Sequence, residues 1–553
     1  MVEYGRKTGF VRLVVRLEPI GPVPVIIGRG LLLLIGEAAR GPANEAVFIN
    51  SGGQYYTTYY SGDLKTQGEL AFGQGVPLTC NVRVLGTGNA RASKVITDGL
   101  SSPSNVTTVY AKGHGIWGNA IKVTVADGTY NGIEVNSGFA GDGTVGPYYT
   151  LNCDLVQNAS NTVTVDGTGR TIVYTIGGLT TGKVFVDTVN GSLTFYTGEG
   201  PTTIQTIEYN LRYKSKKITI TDNETTATYD RIFDLVGLVA ALEDSDLVYA
   251  EATVNETHLP VNGTWSLTGG VDGSAITTGN WSTAIDTGYT ACANYLGAPT
   301  CVALTDCEVA GGSYDLIPII DLKSVEYANK HRPALWFVGL PENTSITVAL
   351  NVASSYSNRL LYIVANPWDN STSPTPRMNG AVARAGQEAA LELGGSGALR
   401  RNALRGMNGL LNEITDDEAD ALTQSTQAHC DCLLKKGGGI KPYVGISTDA
   451  TWQFMRSVDN KTLNYIHISA AFISDAFFHE KNTAEVRAAF KNSLKALLDD
   501  CLNNLRIIDK YTLTVLSDVE RGGADTGKVH ALISVTVTGH IERIDMPIGV
   551  GVF

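Results

Sequence analysis

Leu31-Leu32-Leu33-Leu34-Ile35, ended by Gly36 and by Gly41-Pro42, decides how the rest of this chain is read. A short, continuous apolar run bounded by glycine and proline fits a strand buried on both faces, at the centre of an α/β sheet. On its C-terminal side, Gln54–Tyr60 and Lys65–Phe72 read as helices and Asn81-Val82-Arg83-Val84-Leu85 as the next strand. The same pattern resumes after Gly269-Gly270. A helix around Trp281–Leu296 leads to a strand at Thr300–Leu304, a second near Leu322–Lys330 leads to Ala334–Val338, and Arg359–Val364 is a further strand. Strands alternating with helices predict a parallel or mixed sheet.

Between these two stretches the composition changes. Over 113–265, Gly, Thr, Asn, Val and Tyr dominate and helical periodicity disappears. Ile121–Val125, Thr162–Val165, Thr171–Ile176, Lys183–Val186, Leu193–Tyr196 and Lys217–Thr221 read as short strands between turn signals such as Asp127-Gly128, Asp166-Gly167 and Asn190-Gly191. This predicts a β-rich sandwich or small barrel inserted into one α/β domain. The expected fold class is α+β and multidomain. The α/β core takes residues 25–112 plus 266–395, the β-rich insert 113–265, and a C-terminal α+β assembly domain 396–540.

In that last unit, Thr415-Asp416-Asp417-Glu418 is a capping box opening a short helix. Cys430–Leu434 and Tyr443–Ile446 flank the glycines 437–439 as a candidate hairpin. Asn482-Thr483-Ala484-Glu485 opens a long helix with an apolar stripe at Val486, Phe490, Leu494, Leu497, Leu498, Cys501 and Leu505. Strands follow through Leu513 and Val515, and through Ile533, Val535 and Val537. Both chain ends carry a period-two pattern: Val11, Leu13, Val15 and Leu17 at the start, then Ile544, Met546, Ile548, Val550 and Val552 at the finish. A Pro/Gly linker (Pro19, Gly21, Pro22, Pro24) follows the first. The first, 1–24, reads as an arm that needs a sheet edge elsewhere, in this molecule or in another, against the plainer reading of an ordinary first strand, and the second, 541–553, as a terminal arm tied into a sheet.

Composition excludes several function classes. The 553 residues are 43% hydrophobic and 17% charged, so bulk disorder is excluded. Acids outnumber bases 54 to 42, giving −12, which disfavours nonspecific nucleic-acid or anionic-membrane binding. No apolar run reaches the ~18–20 residues of a spanning helix, and the start does not read as a secretory signal. Eight cysteines are too few for a disulfide scaffold, and a cytosolic folding environment fits them. The one tight cluster, His429-Cys430-Asp431-Cys432, reads as buried thiols in a strand, and no metal or cofactor is expected. Phosphate-binding, zincin and nucleophile-elbow motifs are absent, and Gly28-Arg29-Gly30 is an incomplete dinucleotide fingerprint. Asp416, Asp417 and Glu418 face a helix macrodipole, and His114 lies in a glycine-rich turn. No catalytic constellation emerges, and the expectation is a structural protein without enzymatic activity.

Four segments resemble the contractile tail sheath proteins of tailed phages and related contractile injection systems. They are Gly36–Pro42 after the first core strand, Val82-Arg83-Val84, Ala111–Ile121 with Trp117-Gly118-Asn119, and Leu267–Gly273 with Gly269, Gly270, Asp272 and Gly273. Asp459–Glu480, the long helix and the final strands follow the family's order, whereas Asn366–Arg377 lacks its proline-rich loop. The resemblance implies a subunit that polymerises as helical stacked rings around an inner tube and contracts without nucleotide hydrolysis. It implies copies of itself, the inner tail tube protein, and baseplate and tail terminator proteins as partners, with no nucleic acid and no direct membrane insertion. The implied location is a virion tail assembled in the host cytoplasm. The implied arm strands are those at Val11–Leu17 and Ile544–Val552. On the helix opened by Asn482, Arg487, Lys491 and Lys495 recur every four residues as a candidate tube-facing stripe, against the plainer reading of a solvated basic face. Two other readings stand beside it: a pilus-like or surface-layer filament subunit joined by strand exchange, and a secreted carbohydrate-binding or hydrolytic protein. The latter would need paired carboxylates and a secretion signal.

Overall fold

The computed structural model describes residues 30–98, 103–150, 155–254, 258–309, 314–373, 376–395, 403–424, 429–449 and 456–538. The expected arm strands, Val11, Leu13, Val15 and Leu17 and Ile544, Met546, Ile548, Val550 and Val552, lie outside the described residues.

The strand Leu31–Gly36 sits inside a six-stranded sheet, flanked in parallel by Cys301–Leu304 and by Leu78–Arg83. Leu335–Gly339 and then Leu361–Val364 continue the sheet in parallel on one side, and Ala46–Ile49 closes the other side antiparallel. Leu31 through Leu34 and Ile35 are fully buried, each burial contributing ~1.5–3 kcal/mol. The helix Thr278–Leu296 covers one face through Trp281, Ile285, Tyr289 and Cys292. It approaches so closely at Gly288 that a Cβ there would lie 2.5 Å from the Leu33 side chain. Helices Asp63–Gly73 and Gly380–Ala390 pack on each other and on the same sheet.

The β-rich region contains two sheets over one core. Its spine is the antiparallel pair Lys122–Ala140 and Thr206–Thr221. These are far longer than the expected strands Ile121–Val125 and Lys217–Thr221. Asp127-Gly128, which reads as a turn, is instead a bulge where the register shifts between Lys214 and Lys216. Glycine is needed there because a Cβ at 128 would lie 2.2 Å from Ser215 Oγ. The second sheet joins Arg91–Thr97, Asn105–His114 and Val248–Ala252. The β-rich unit therefore begins near residue 91, earlier than the expected 113, because these strands bury Ala92, Ile96, Val106 and Val109 in its core.

The C-terminal boundary also shifts. Thr415 caps the helix Asp416–Thr423 in the expected box with Glu418. That helix and Cys430–Cys432 nevertheless pack into the α/β core, with Asp431 bridging Val364 in parallel. The hairpin around the glycine triplet is tighter than expected, pairing Leu433–Lys436 with Gly439–Pro442. A separate core forms between helices Ser457–Asp475 and Ala484–Asn503 and the hairpin Ile508–Ser517/Val529–Val537.

Candidate functional site

The family-like segments, scattered over 36–273 in sequence, meet at the junction of the α/β and β-rich units. Arg83 ends its strand pointing into this junction and is 2% exposed. Its Nε donates to the Ala38 carbonyl at 2.8 Å, and Nη1 donates to those of Gly41 at 2.9 Å and His114 at 2.7 Å. Nη2 reaches the Ala39 carbonyl at 3.3 Å. Burial pushes the guanidinium down to about 10, opposed by the charge of Asp272, so it stays cationic at neutral pH. Asp272 Oδ1 accepts from the Ile116 amide at 3.0 Å. The Asn119 side chain exchanges two hydrogen bonds with the Gly270 backbone, both 2.9 Å. Trp117 Nε1 donates to the His114 carbonyl at 2.9 Å, and its ring lies 6.0 Å from the Arg40 guanidinium. Arg40 in turn pairs with Asp222 at 3.1 Å.

Backbone must pass close to backbone for this to close. A Cβ on Gly113 would lie 2.3 Å from the Gly41 carbonyl oxygen, and one on Gly270 would lie 2.4 Å from that of Gly115. Gly118 packs on the methyls of Ala92 and Ala111, and Gly269 and Gly273 take φ of +84° and +88°. The residues read as motif are thus brought together as a structural clamp. The His114 ring stands beside Arg91, with Nδ1 3.4 Å from its Nε. Burial and the Arg91 charge push that imidazole down.

A second buried polar centre escaped the sequence reading. Arg384 and Glu388, one turn apart on the helix Gly380–Ala390, are fully buried and paired at 2.6 Å. Lys461, on the helix Ser457–Asp475, reaches Glu388 at 3.2 Å, and Ser457 Oγ donates to it at 2.6 Å. Asp431 lies 3.7 Å from Arg384 Nε. Burial alone would raise the Glu388 carboxyl, but the charges of Arg384 and Lys461 hold it down at about 2. Asp431 is pushed up by burial despite Arg384. The cluster fastens the C-terminal helix to the sheet. Its only sequence signal was charge inside an otherwise Ala/Gly-rich helix, which hides the amphipathic period.

The helix Ala484–Asn503 is capped by Thr483 and buries Phe490, Leu494, Leu497, Leu498 and Cys501. Lys491 and Lys495 are exposed. Arg487 differs from the expected stripe: it bends back to Asn482 at 2.8 Å and to Glu520 at 3.3 Å. The hairpin beyond lays Tyr511, Leu513, Ile533 and Val535 against this core. Its strands pair with each other over Ile508–Ser517 and Val529–Val537, with no third strand among the described residues.

Among the described residues no group of three metal-binding side chains is placed to hold an ion, and no helix is long and apolar enough to cross a membrane. Cys430 and Cys432 are buried free thiols.

Neither a protein-family model nor a curated protein sequence matches the chain. Solved structures do. The sheath tail protein from Listeria innocua superposes with a TM-score of 0.54 at 14% identity, covering 93% of this chain and 96% of that one. The sheath tail protein from Desulfitobacterium hafniense gives 0.52 at 12% identity, covering 93% and 97%. At that identity the likeness is one of fold, and it covers most of both chains: this chain has the fold of the tail sheath proteins.

Proposed function

We propose that this chain is a structural, non-enzymatic subunit of a contractile tail sheath. In this reading it polymerises as helical stacked rings around an inner tube and contracts without nucleotide hydrolysis. The shared fold over 93% of the chain supports it, and the observation that carries it is the C-terminal hairpin. Two strands of ten and nine residues, paired only with each other among the described residues, leave long edges of unfilled backbone groups. Such edges are sticky, and an isolated two-stranded ribbon is marginal by itself. Strands donated by neighbouring copies, Val11–Leu17 from one and Ile544–Val552 from another, would fill them. Contacts of this head-to-tail kind do not close on themselves and so build filaments.

The further partners in this reading are the inner tube protein, the baseplate and the tail terminator. Lys491 and Lys495 are the cations offered to the tube, with Arg487 held back by Glu520. Contraction is release from a kinetically trapped extended lattice into one with greater burial.

Deleting residues 1–20 tests the reading. The truncated chain should purify as a folded, soluble monomer, while the full chain forms hollow, striated filaments by negative-stain microscopy. Filaments of ordinary length and lumen from the truncated chain would overturn it.

A further inference from the structure

At the bulge of the β-rich unit three side chains converge whose chemistry goes beyond packing. Lys216 is the residue that the register shift re-aims inward, and its side chain is 1% exposed. Its Nζ donates to Asn262 Oδ1 at 3.0 Å and lies 3.6 Å from Asp127 Oδ1. The same Asp127 oxygen accepts from Asn262 Nδ2 at 2.7 Å. A buried amine thus stands against a carboxamide, and one carboxylate oxygen accepts from the leaving nitrogen and lies 3.6 Å from the nucleophile.

The geometry points to an intramolecular isopeptide bond between Lys216 and Asn262, formed with Asp127 as the proton carrier. Lys216 Nζ gives a proton to Asp127 and attacks Asn262 Cγ. The tetrahedral intermediate releases its second Nζ proton to solvent and collapses as Asp127 returns the first to Nδ2, which leaves as ammonia, so that a neutral Nζ–Cγ amide remains and the charge of the ammonium departs with the released proton. Atoms and electrons balance without any oxidant or co-reactant. Three facts favour the reaction. The amine and the carboxamide are already held at 3.0 Å with the carboxylate 3.6 Å from the amine, which removes part of the entropic barrier. Amide formation abolishes a buried ammonium, a costly group to keep. Ammonia departs to solvent, because Asn262 is exposed.

One feature slows it. Asp127 also pairs with Lys214, and although burial pushes its carboxyl up, hydrogen bonds from Lys214 and Asn262 together with the charge of Lys216 hold it below the usual range. It is therefore a weak base, and the bond forms slowly after folding, faster at alkaline pH. The product ties the strand Thr206–Thr221 to the segment leading into Gly263–Ser266, across the strand Lys122–Ala140 that lies between them.

Mass spectrometry of the full chain decides this. Intact mass should fall by ~17 Da, one ammonia, over days at about pH 9, and trypsin should release a branched peptide joining the Lys216 and Asn262 segments. Asn262→Ala and Lys216→Arg, each checked for native circular dichroism, should abolish both signals. Lys214→Gln should accelerate them several-fold by freeing the carboxylate. Full mass retained with two linear peptides would overturn the proposal. So would ammonia loss confined to a linear peptide, since Asn262-Gly263 can form a succinimide with the same mass change.

Discussion

Glu388→Gln probes what fastens the C-terminal unit to the sheet. Glu388 carries the negative charge nearest to two buried cations, Arg384 at 2.6 Å and Lys461 at 3.2 Å, and all three side chains are at most 4% exposed. The amide keeps the shape but removes the charge and turns one acceptor into a donor facing Arg384 or Ser457. Breaking one partner out of a buried ionic cluster costs ~3–5 kcal/mol, a large part of the ~5–15 kcal/mol that keeps a domain folded. Urea titration followed by tryptophan fluorescence reads this, because Trp336 lies in the strand directly before Phe337, whose ring is 5.9 Å from the Arg384 guanidinium. The midpoint should fall by an amount equivalent to at least ~3 kcal/mol. The triple change Arg384→Met, Glu388→Leu, Lys461→Met should recover most of the loss, since apolar replacement of a whole cluster is often neutral. The pH signature is specific. Glu388 sits at about 2 in the fold against an ordinary 4.5. Its stabilisation is therefore complete above pH 4.5 and is lost as pH falls towards about 2. Asp431, raised by burial above its ordinary 3.8, acts in the opposite sense and regains stability on protonation. Glu388→Gln should flatten the acid limb between pH 4.5 and 2. A midpoint within ~1 kcal/mol of the parent, with the acid limb unchanged, would refute the cluster as a fastening.

Gly113→Ala should cost ~1–3 kcal/mol in a thermal melt, because its methyl would sit 2.3 Å from a carbonyl oxygen that Arg83 holds in place. Excising 91–270 and joining Ala90 to Val271, which already exchange backbone hydrogen bonds of 2.9 and 3.2 Å, should leave the six-stranded sheet folded by circular dichroism. Lys491→Glu with Lys495→Glu should leave the subunit's melting temperature within a degree or two and lower the yield of tube-filled filaments, scored by microscopy, because exposed charges contribute only ~0.2–1 kcal/mol each to the fold.

Where pattern and burial coincide, the sequence was legible. Leu31–Ile35 reads as a two-face-buried strand because every residue is apolar, and the capping box at Thr415 is local chemistry that tertiary contacts do not alter. The junction was legible only through resemblance, since Arg83, Asn119 and Asp272 are far apart in the chain and their partners are mostly backbone carbonyls and amides that carry no residue signature. The buried cluster was hidden because Arg384 and Glu388 look like the solvent side of a helix. Asp127-Gly128 misread as a turn because a bulge demands the same residues. The domain limits moved because strand 105–114, which carries strand 91–97 on one edge, finds its other partner, 248–252, more than a hundred residues later.

The two crossings between the α/β and β-rich units stand side by side, at Ala90 and Val271. Two tethers on one line fix a body's position but leave it a swing about that line, as hinges leave a door. The latch stands beside them: Arg83 gripping the carbonyls of Ala38, Gly41 and His114, and Asp272 holding the Ile116 amide. The bearing of the β-rich unit is thus set along this one edge, by those polar contacts together with the Arg40–Asp222 pair and the close backbone pass of Gly113 over Gly41.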